Sequence, residues 1–559
     1  MTSETRQRES RSHRSRCLRA AAALAALGVA AAACSSGGSG NDASDDAAQA
    51  DPPVIESVTV SENPNSTLSA VLDVATDVPA EAQVVVTGPE REFTITSPDE
   101  PGTEVTIPVV GMRPETTYEL SVTATAEGGS EPSEAVAESF TTGPLPADFP
   151  KTSVLVSEPD RMEPGFTLFD ANGTPPEGKT TGGTGYIIAV DPEGVPVWYY
   201  AYEGGASDAR QLDDGNILML VGLDQVRVLD VLGNVVENYA GRAAVEDAES
   251  GEKAPLPPGT VNLETDSAHH EVYPLPNGNL AVLSTTLLHV PSEGGVCGDD
   301  TENDDGTYTV VDDVVVEFER PSGTIVREVR LSDLIDPAAD VEKWVCPVNT
   351  GGLADAIYEI PNLREWQHAN AVVLDEDRNA LIVSNRETDL ILAVRYEDDE
   401  NGPANELLWS FGPDGDVELE EGDFMYHQHA PQIQENGDIV FFDNGNDRPG
   451  HVDDPYSRAV RYEIDDSDPD NVVARQVWEY IPMVNDEFAY SFFVGDADVL
   501  PNGNVLISSG GYASRPMYEV VPADGPDGGD VVWLATTIDT DGVYRADRIA
   551  TLTPWSETG

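Results

Sequence analysis

Residues 270–284, which read HEVYPLPNGNLAVLS, show the pattern that decides the fold. An apolar strand leads into a turn of Pro, Asn and Gly, and a second apolar strand follows, as in a β-hairpin. The same half-unit returns along the chain, which indicates a repeat architecture. Its copies are ARQLDDGNILMLV (209–221), HEVYPLPNGNLAVLS (270–284), HANAVVLDEDRNALIVS (368–384), HAPQIQENGDIVFFD (429–443) and DADVLPNGNVLISS (496–509).

A second half-unit, again of two strands, alternates with the first and often ends on an aromatic residue. Its copies begin at residues 186, 225, 313, 390, 459 and 517. Six copies of four strands predict an all-β fold, a six-bladed β-propeller over residues 155–559. One blade lacks its first hairpin in this count, and the segments GFTLFDA (165–171) and YRADRIATL (544–552) could close the ring. Five or seven blades are the alternatives.

A smaller module precedes the propeller in residues 51–145. Seven short runs there alternate apolar and polar residues between turns of Pro, Gly, Asn and Asp, which predicts a small β-sandwich. The stretch GMRPETTYELSVTATA (111–126) resembles one corner of a fibronectin type III domain, with Tyr118 as the corner tyrosine. We therefore expect a fibronectin type III-like module without catalytic residues.

The chain begins with an Arg-rich segment, an Ala-rich run and a cysteine. Residues 1–33 have the layout of a signal peptide, and their apolar run is shorter than the roughly 20 residues that span a bilayer. The sequence AAAC before a Ser/Gly linker resembles a lipoprotein signal, so Cys34 is the predicted lipid anchor and residues 34–50 a flexible tether. Ordinary cleavage after the Ala-rich run is the alternative. We expect an extracytoplasmic protein, at the cell surface or in a periplasm, that meets the membrane through this anchor only.

Charge and cysteine content point to the same compartment. The chain has 102 Asp and Glu against 30 Lys and Arg, a formal net charge of −72. Such a charge opposes binding to nucleic acid and favours solubility in a salty or extracellular medium; an acidic surface for cationic partners is the alternative. When Cys17 of the signal peptide and Cys34 are set aside, only Cys297 and Cys346 remain, and in an oxidising compartment they are predicted to form a disulfide.

Three histidines have comparable places in the repeat. His270 and His429 each lie eight residues before the glycine of their hairpin turn, and His368 begins a copy whose turn is longer. Because the first strand of each blade lines the central channel of a propeller, we expect the three imidazoles to meet near one mouth. Hydrogen-bonded spacers between blades and a three-histidine metal site are the alternatives.

Arg386 favours an anion over a metal ion at this mouth. It follows the second strand of the His368 hairpin, where a permanent cation would repel a metal and bind a tetrahedral anion bidentately. Asn370, two residues beyond His368 on the same strand face, could add a neutral donor. We assign no metal ligand to the chain.

The motifs that contain these residues resemble those of the bacterial arylsulfate sulfotransferases, whose members are periplasmic six-bladed propellers. The matching motifs, within residues 160–555, are WQHAN (366–370), VSNR (383–386), HQHAP (427–431), FFDNGNDR (441–448), HHEVYPLPNGN (269–279), PGFTLFD (164–170) and YIIAVDPEGVPVWYY (186–200). The resemblance implies that His429 is transiently sulfurylated, while His270, His368 and Arg386 bind and polarise the sulfuryl group. The N-terminal module and the position of the cysteine pair differ from the family pattern.

The resemblance implies that a sulfuryl group moves from one phenolic ester to another phenol by a ping-pong route. A neutral imidazole can attack the sulfur of an aryl sulfate, and phenolate is an acceptable leaving group because phenols ionise near about pH 10. His368 is the candidate to protonate the departing phenolate and to deprotonate the acceptor, a task that His270 could share. No cofactor is expected, and the sequence contains no glycine-rich phosphate loop. The expected partners are small aromatic sulfate esters and phenols.

Four aromatic residues next to these motifs could stack on the substrate ring, although ordinary packing between blades is the alternative for each. They are Trp366, Tyr426, Phe492 and Phe493. Two rival functions stay open. One is a propeller that binds a ligand or partner without catalysis, and the other is a metalloenzyme with a three-histidine site.

Overall fold

The structure is a computed structural model, and it is almost entirely β. It describes residues 51–98, 100–126, 128, 131–174, 183–205, 208–250, 255–291, 303, 306–339, 341–345, 357–358, 363–523, 525–538, 540 and 542–556. The predicted signal peptide, Cys34, the tether, Cys297 and Cys346 lie outside these residues. The anchor and the disulfide therefore stay predictions.

The N-terminal module contains six described strands rather than seven. They are Ile55–Glu62, Ala70–Thr87, Glu92–Thr96, Gly102–Val109, Thr117–Ala126 and Val136–Thr141. The second and third predicted runs form one strand, Ala70–Thr87, whose register slips between Ala75 and Ala80 as it passes from one set of partners to another. Tyr118 is buried, and its Oη accepts a hydrogen bond of 2.8 Å from the backbone N–H of Arg113. This is the contact expected of a corner tyrosine.

Six sheets of four or five strands follow in the described part of the chain. Sheets I to III contain, in order of pairing, Ala546–Ile549, Phe166–Asn172, Gly185–Val190 and Pro196–Tyr202; Ala209–Gln211, Ile217–Val221, Gln225–Leu229, Val235–Ala240 and Val261–Asn262; and His269–Pro274, Leu280–Pro291, Thr307–Phe318 and Ile325–Arg330. Sheets IV to VI contain Ala369–Asp375, Ala380–Asn385, Leu390–Arg395 and Leu407–Phe411; His429–Ile433, Ile439–Asp443, Arg458–Asp465, Val473–Tyr480 and Glu418–Glu421; and Asp496–Val499, Val505–Ser508, Pro516–Pro522, Gly529–Ile538 and Lys151–Ser157.

Strands from opposite ends of this region pair with each other. Ala546–Ile549 runs antiparallel to Phe166–Asn172, as the sequence suggested for these two segments. Lys151–Ser157 forms the last strand of sheet VI, against Gly529–Ile538. Two sheets thus combine strands that are more than 300 residues apart, so strand pairing joins the N-terminal and C-terminal parts of this region.

Other regular elements are few in the described residues. They are the helix Arg242–Ser250, the 3-10 turns Leu331–Asp333 and Val341–Lys343, and the hairpin of Met483–Val484 with Glu487–Phe488. None of the described helices has the length and apolar character needed to cross a membrane.

The N-terminal module packs directly on sheets I and II. Its side chains share an apolar cluster with theirs, to which Ile107 and Trp198 both belong. The Asn63 amide donates a hydrogen bond of 2.8 Å to the Leu232 carbonyl. On the other side of the contact, Trp555 Nε1 donates to the Thr96 carbonyl over 3.1 Å.

One strand of each of the six sheets borders a common cavity of about 380 Å³. The cavity residues of these strands and their flanks are 208–211, 271 and 273, 373–374, 430–433, 496 and 498, and 545 and 547. The strands His269–Pro274 and His429–Ile433 each begin with or next to a predicted site histidine, and His368 immediately precedes Ala369–Asp375. The start of the cavity-lining strands is therefore where the predicted site lies.

Candidate active site

The backbone is irregular at all three predicted histidines. Register shifts interrupt the pairing between His269 and Val272, between Ala369 and Ala371, and after His429. His270 and His368 have φ values of 60° and 52°, in the left-handed region that residues with a Cβ adopt at some energetic cost. Bulges of this kind re-aim side chains, and here they turn imidazoles towards one another.

His270 and His368 form a direct imidazole pair. Their Nε2 atoms are 3.2 Å apart, and the ring centroids are separated by 4.9 Å. A contact between two ring nitrogens requires that one carries a proton and the other a lone pair. The pair therefore shares one proton.

His429 is held by an asparagine. Its Nδ1 lies 2.7 Å from Oδ1 of Asn444, whose NH₂ group donates to the backbone carbonyls of Ser491 and Val494 over 2.7 and 2.8 Å. Because the Asn444 amide is oriented by those two bonds, its oxygen faces the ring and accepts the Nδ1 proton. Nε2 of His429 is left with the lone pair that a nucleophile needs.

Arg386 follows the second strand of sheet IV beside His368, and its backbone N–H donates to the His368 carbonyl over 3.2 Å. Its guanidinium pairs with Glu387 and donates a hydrogen bond of 3.1 Å to the Phe492 carbonyl. Its positive charge acts on His429 and His368. A guanidinium next to two imidazoles suits an oxyanion.

Burial sets the protonation of these rings. It lowers the pKa of His429 well below the usual range, and the nearby charge of Arg386 adds to the effect. The pKa of His270 is lowered for the same reason, burial first and the neighbouring His368 second. Both rings are therefore neutral at neutral pH, and the nucleophile does not have to lose a proton before it attacks.

His368 differs from its neighbours because it has a carboxylate partner. Its Nδ1 lies 3.0 Å from Oε1 of Glu365. Burial by itself would lower the pKa of His368, but the charge of Glu365 outweighs it and the net direction is upward. His368 is thus the imidazole of the site best suited to carry a proton.

A cluster of charged residues around His427 holds the Glu387 carboxylate that pairs with Arg386. His427 lies 3.1 Å from Asp389 and 3.6 Å from Glu387, the carboxylate that pairs with Arg386. Against the opposing effect of burial, these two carboxylates raise the pKa of His427 to about 9. Glu387 is buried too, yet His427 and Arg386 lower its pKa to about 2. The Glu387 carboxylate is therefore ionised and orients Arg386.

The structure brings together His270, His368, His429 and Arg386, but it places two other predicted residues away from them. Asn370 is buried and donates its amide to the Gln428 carbonyl over 2.7 Å, which ties sheet IV to sheet V. Trp366 is fully buried in an apolar cluster with Tyr308 and Trp344. Both contacts are structural in kind, and neither side chain faces an open space.

The remaining aromatic candidates lie nearer to the site. Phe492 is 53% exposed, its carbonyl binds Arg386, and its ring packs against Phe493 with centroids 4.5 Å apart and an angle of 48° between the planes. Tyr426 is half-buried next to His427 and donates its backbone N–H to Asp443. Phe492 and Phe493 form a partial apolar rim beside Arg386 that an aryl group could contact.

Several residues of the site are not predicted from the sequence. Asn444 stands in a motif that suggests a turn, and Glu365 and Glu387 have no repeat position of their own. Regular alternation along a strand would turn His269 away from His270, but its Nδ1 lies 2.8 Å from Nδ1 of His270. Tyr544 flanks His270 with a centroid distance of 6.0 Å. The sequence gives one hint for His269 and Glu387, which is that each is adjacent to a predicted site residue, His270 or Arg386.

The described residues contain no group of three His, Cys, Asp or Glu side chains placed to hold a metal ion. The three predicted histidines instead contact an asparagine, a glutamate and one another.

Sequence and structure comparisons identify several similar proteins. The arylsulfotransferase (ASST) family matches residues 151–524, and the arylsulfotransferase Ig-like domain matches residues 57–141. The expectation that the N-terminal module differs from the family pattern is therefore wrong. The protein named arylsulfate sulfotransferase AssT from Escherichia coli O6:H1 (strain CFT073) is 25% identical over 379 residues, which are 56% of this chain and 56% of that protein. AssT of Lelliottia amnigena is 26% identical over 155 residues, 23% of this chain and 24% of its own.

The alignments thus cover about half, or less, of the length of these relatives. Among solved structures, the periplasmic gluconolactonase PpgL of Pseudomonas aeruginosa is 11% identical and matches 69% of this chain and 99% of its own, with a TM-score of 0.32.

Proposed function

Because the chain belongs to the arylsulfotransferase family, we propose that it transfers a sulfuryl group from a phenolic sulfate ester to an acceptor phenol. The transfer proceeds through a covalent intermediate on His429 and needs neither a nucleotide nor a metal. The observation that supports this most directly is the contact between Asn444 and Nδ1 of His429, which leaves a neutral Nε2 with a lone pair beside Arg386.

In the first half-reaction, Nε2 of His429 attacks the sulfur of the bound ester. The N–S bond forms, the S–O bond to the aryl group breaks, and a phenolate leaves. Negative charge shifts on the sulfuryl oxygens and the leaving oxygen as this happens. Arg386 and the imidazoles stabilise that charge, because donors fixed in a buried site do not need to reorganise.

The phenolate takes a proton from the imidazole pair of His368 and His270. The pair shares one proton at Nε2, and Glu365 favours the charged form of His368. In the second half-reaction an acceptor phenol occupies the same place and returns its proton to His368. Its oxygen attacks the sulfur, and the N–S bond to His429 breaks. The two half-reactions are chemically symmetric, which accounts for a ping-pong order.

The fold proposal is a six-bladed β-propeller behind an Ig-like module. It is supported by the six sheets of the described chain, by their shared cavity, and by the pairing of strands from opposite ends of the region. In this arrangement the histidines lie at one mouth of the channel, and the loops that follow the strands around them shape the substrate pocket.

The location proposal rests on the sequence. We propose an extracytoplasmic lipoprotein whose Cys34 carries the anchor and whose Cys297 and Cys346 are joined. Mass spectrometry of tryptic peptides with and without reduction tests the pairing, and radiolabelled palmitate incorporation in cells tests the anchor against a Cys34→Ala control.

The decisive experiment for the function uses 4-nitrophenyl sulfate as donor and phenol as acceptor. We expect release of nitrophenolate that depends on the acceptor. With donor alone and an acid-free quench, intact-mass analysis should show one added sulfuryl group. It should map to His429 and be absent in His429→Asn. Acceptor-independent release would indicate a sulfatase, and release without a covalent adduct in the wild type would overturn the sulfohistidine route.

A further inference from the structure

A chain of buried side chains continues from the imidazole pair away from the substrate, and the proposed function does not use it. We infer that His269 and Asp313 form a proton relay that exchanges a proton with His368 through His270. The inference rests on the proposed function and deepens it, because it assigns a store for the proton that the transfer moves.

The geometry is a line of ring nitrogens. Nε2 of His368 lies 3.2 Å from Nε2 of His270, and Nδ1 of His270 lies 2.8 Å from Nδ1 of His269. Nε2 of His269 then faces Oδ1 of Asp313 at 3.9 Å, the longest link. His269 and Asp313 are both buried, with side-chain exposures of 0% and 1%. Bulk water is therefore not the exchange partner at this end.

Two proton arrangements satisfy the short contacts, and they contain the same number of protons. In the first, His368 is an imidazolium that donates from Nε2 to His270, His270 donates from Nδ1 to His269, and Nε2–H of His269 faces an ionised Asp313. In the second, Asp313 holds the proton and faces the lone pair on Nε2 of His269 across 3.9 Å, while His269 Nδ1–H and His270 Nε2–H donate in the opposite direction. One proton shift at each link converts one arrangement into the other, and the shift at the last link requires Asp313 and His269 to approach to hydrogen-bond distance.

The titration of the groups suits a relay with storage at its ends. Burial, followed by the charge of His368, lowers the pKa of His269 to about 3, and the pKa of His270 is low as well, so the two middle rings do not hold an extra proton. Burial raises the pKa of Asp313 to about 8. The charged and titratable groups that act on it are His368, Glu365 and Asp312. Asp313 and His368 are thus the two positions where the proton can rest.

Several other buried carboxylates of the described residues have arginine partners or accept hydrogen bonds. Asp443 pairs with Arg448 and Arg458 over 2.8 and 2.7 Å. Asp313 differs: no side chain of the described residues donates a hydrogen bond to it, and the partner it faces is an imidazole. A buried carboxyl without a cation is costly when ionised, so at rest it is protonated.

In this relay the charge of the imidazoles depends on whether an anionic ligand is bound. At rest the proton lies on Asp313, and the imidazoles are neutral. When an anionic ester binds beside Arg386, its charge favours the imidazolium, and the proton moves to His368, where the departing phenolate takes it. The acceptor phenol later returns one proton to His368, and release of the product sends it back to Asp313. Protons balance over the cycle.

The test uses a donor series from 4-nitrophenyl sulfate, a good leaving group, to phenyl sulfate, a poor one. We expect Asp313→Asn and His269→Phe to lower kcat/KM for phenyl sulfate by about 10²-fold and for 4-nitrophenyl sulfate by much less, since general acid catalysis of that order serves basic leaving groups. The double variant should be no worse than either single variant. A uniform loss across the series, or none, overturns the relay.

Asp312→Asn is the matched control. Asp312 is the neighbouring buried aspartate, and it accepts hydrogen bonds from the backbone and side chain of Ser332 rather than facing an imidazole. Its replacement should leave the slope of the donor series unchanged. If the wild type transfers from no ester at all, the proposed function fails, and this is distinct from an unchanged slope in an active Asp313→Asn.

Infrared difference spectroscopy with inorganic sulfate as probe measures the protonation of Asp313 in the absence of turnover. Binding should remove the carbonyl band of a protonated carboxylic acid, and that band should be missing in Asp313→Asn. His269→Phe should retain the acid band, because Asp313 can no longer pass its proton on. A wild-type spectrum without loss of an acid band on saturating sulfate overturns the proposal.

Discussion

Two groups of charged residues near the starts of the inner strands use the same types of side chain in opposite ways. In the cavity group, Arg210 and Arg545 are held between carboxylates: Arg545 pairs with Asp208 and Glu271, and Arg210 pairs with the same two. In the histidine group, Arg386 has one carboxylate partner in the described chain, Glu387. An arginine surrounded by two acids is a structural element, whereas one with a single carboxylate retains positive charge for a ligand.

The largest effect should come from removing an arginine of the cavity group. We expect Arg545→Met to lower the free energy of unfolding by about 3–5 kcal/mol, because Asp208 and Glu271 would stay buried with half of their positive charge removed. Chemical denaturation followed by tryptophan fluorescence measures this. A loss below about 1 kcal/mol would mean that the cavity group is well solvated and that the contrast between the two groups is wrong.

The converse experiment removes the arginine of the histidine group, Arg386. Arg386→Gln should lower kcat/KM by about 10²–10³-fold, which is the usual effect of losing one preorganised charge donor, while the unfolding midpoint changes little. Arg475→Gln, at a partly exposed arginine that pairs with Glu420, is the matched control and should leave the kinetics unchanged. If Arg386→Gln lowered the free energy of unfolding as much as Arg545→Met, the two arginines would not differ in role.

The sequence predicts the three histidines well because each has a repeat position. The spacing to the turn glycine identifies His270 and His429, and the copy that begins with His368 completes the set. It does not predict Asn444, whose role comes from carbonyls almost 50 residues away that orient its amide. No local pattern carries that information.

Two side-chain directions, those of Asn370 and His269, are not predicted from the sequence, and the physical reason is the same for both. Alternation along a strand places Asn370 on the face of His368 and His269 on the opposite face from His270. Each prediction crosses a register shift, after Ala369 or after His269, and a shift breaks the period of two. Asn370 consequently bridges two sheets, and His269 meets His270. The strand order follows from the sequence, but the irregular positions where the chemistry lies do not.

A smaller effect should follow from changing how the nucleophile is held. Asn444→Asp places a carboxylate at Nδ1 of His429 and raises its pKa, so the acid limb of the pH profile of kcat/KM should move to higher pH, because a protonated ring cannot attack. Asn444→Leu removes the acceptor, and we expect about a tenfold loss, 1.4 kcal/mol, without that displacement. Equal profiles for both variants would show that Asn444 only fills space.

The smallest effect concerns the rim, where the comparison moves from charge to apolar contact. Phe492 is 53% exposed and its carbonyl binds Arg386, whereas Trp366 is fully buried in an apolar cluster. Phe492→Ala should raise KM for aryl esters about three- to fivefold with kcat nearly unchanged, since an aromatic contact contributes about 0.5–1.5 kcal/mol. Trp366→Phe should instead lower the unfolding midpoint and leave KM alone. If the two variants exchange these effects, the substrate ring binds in the interior and the rim is only a surface. Because the Phe492 carbonyl is unaffected by removing its ring, any change in kcat would report a displaced Arg386.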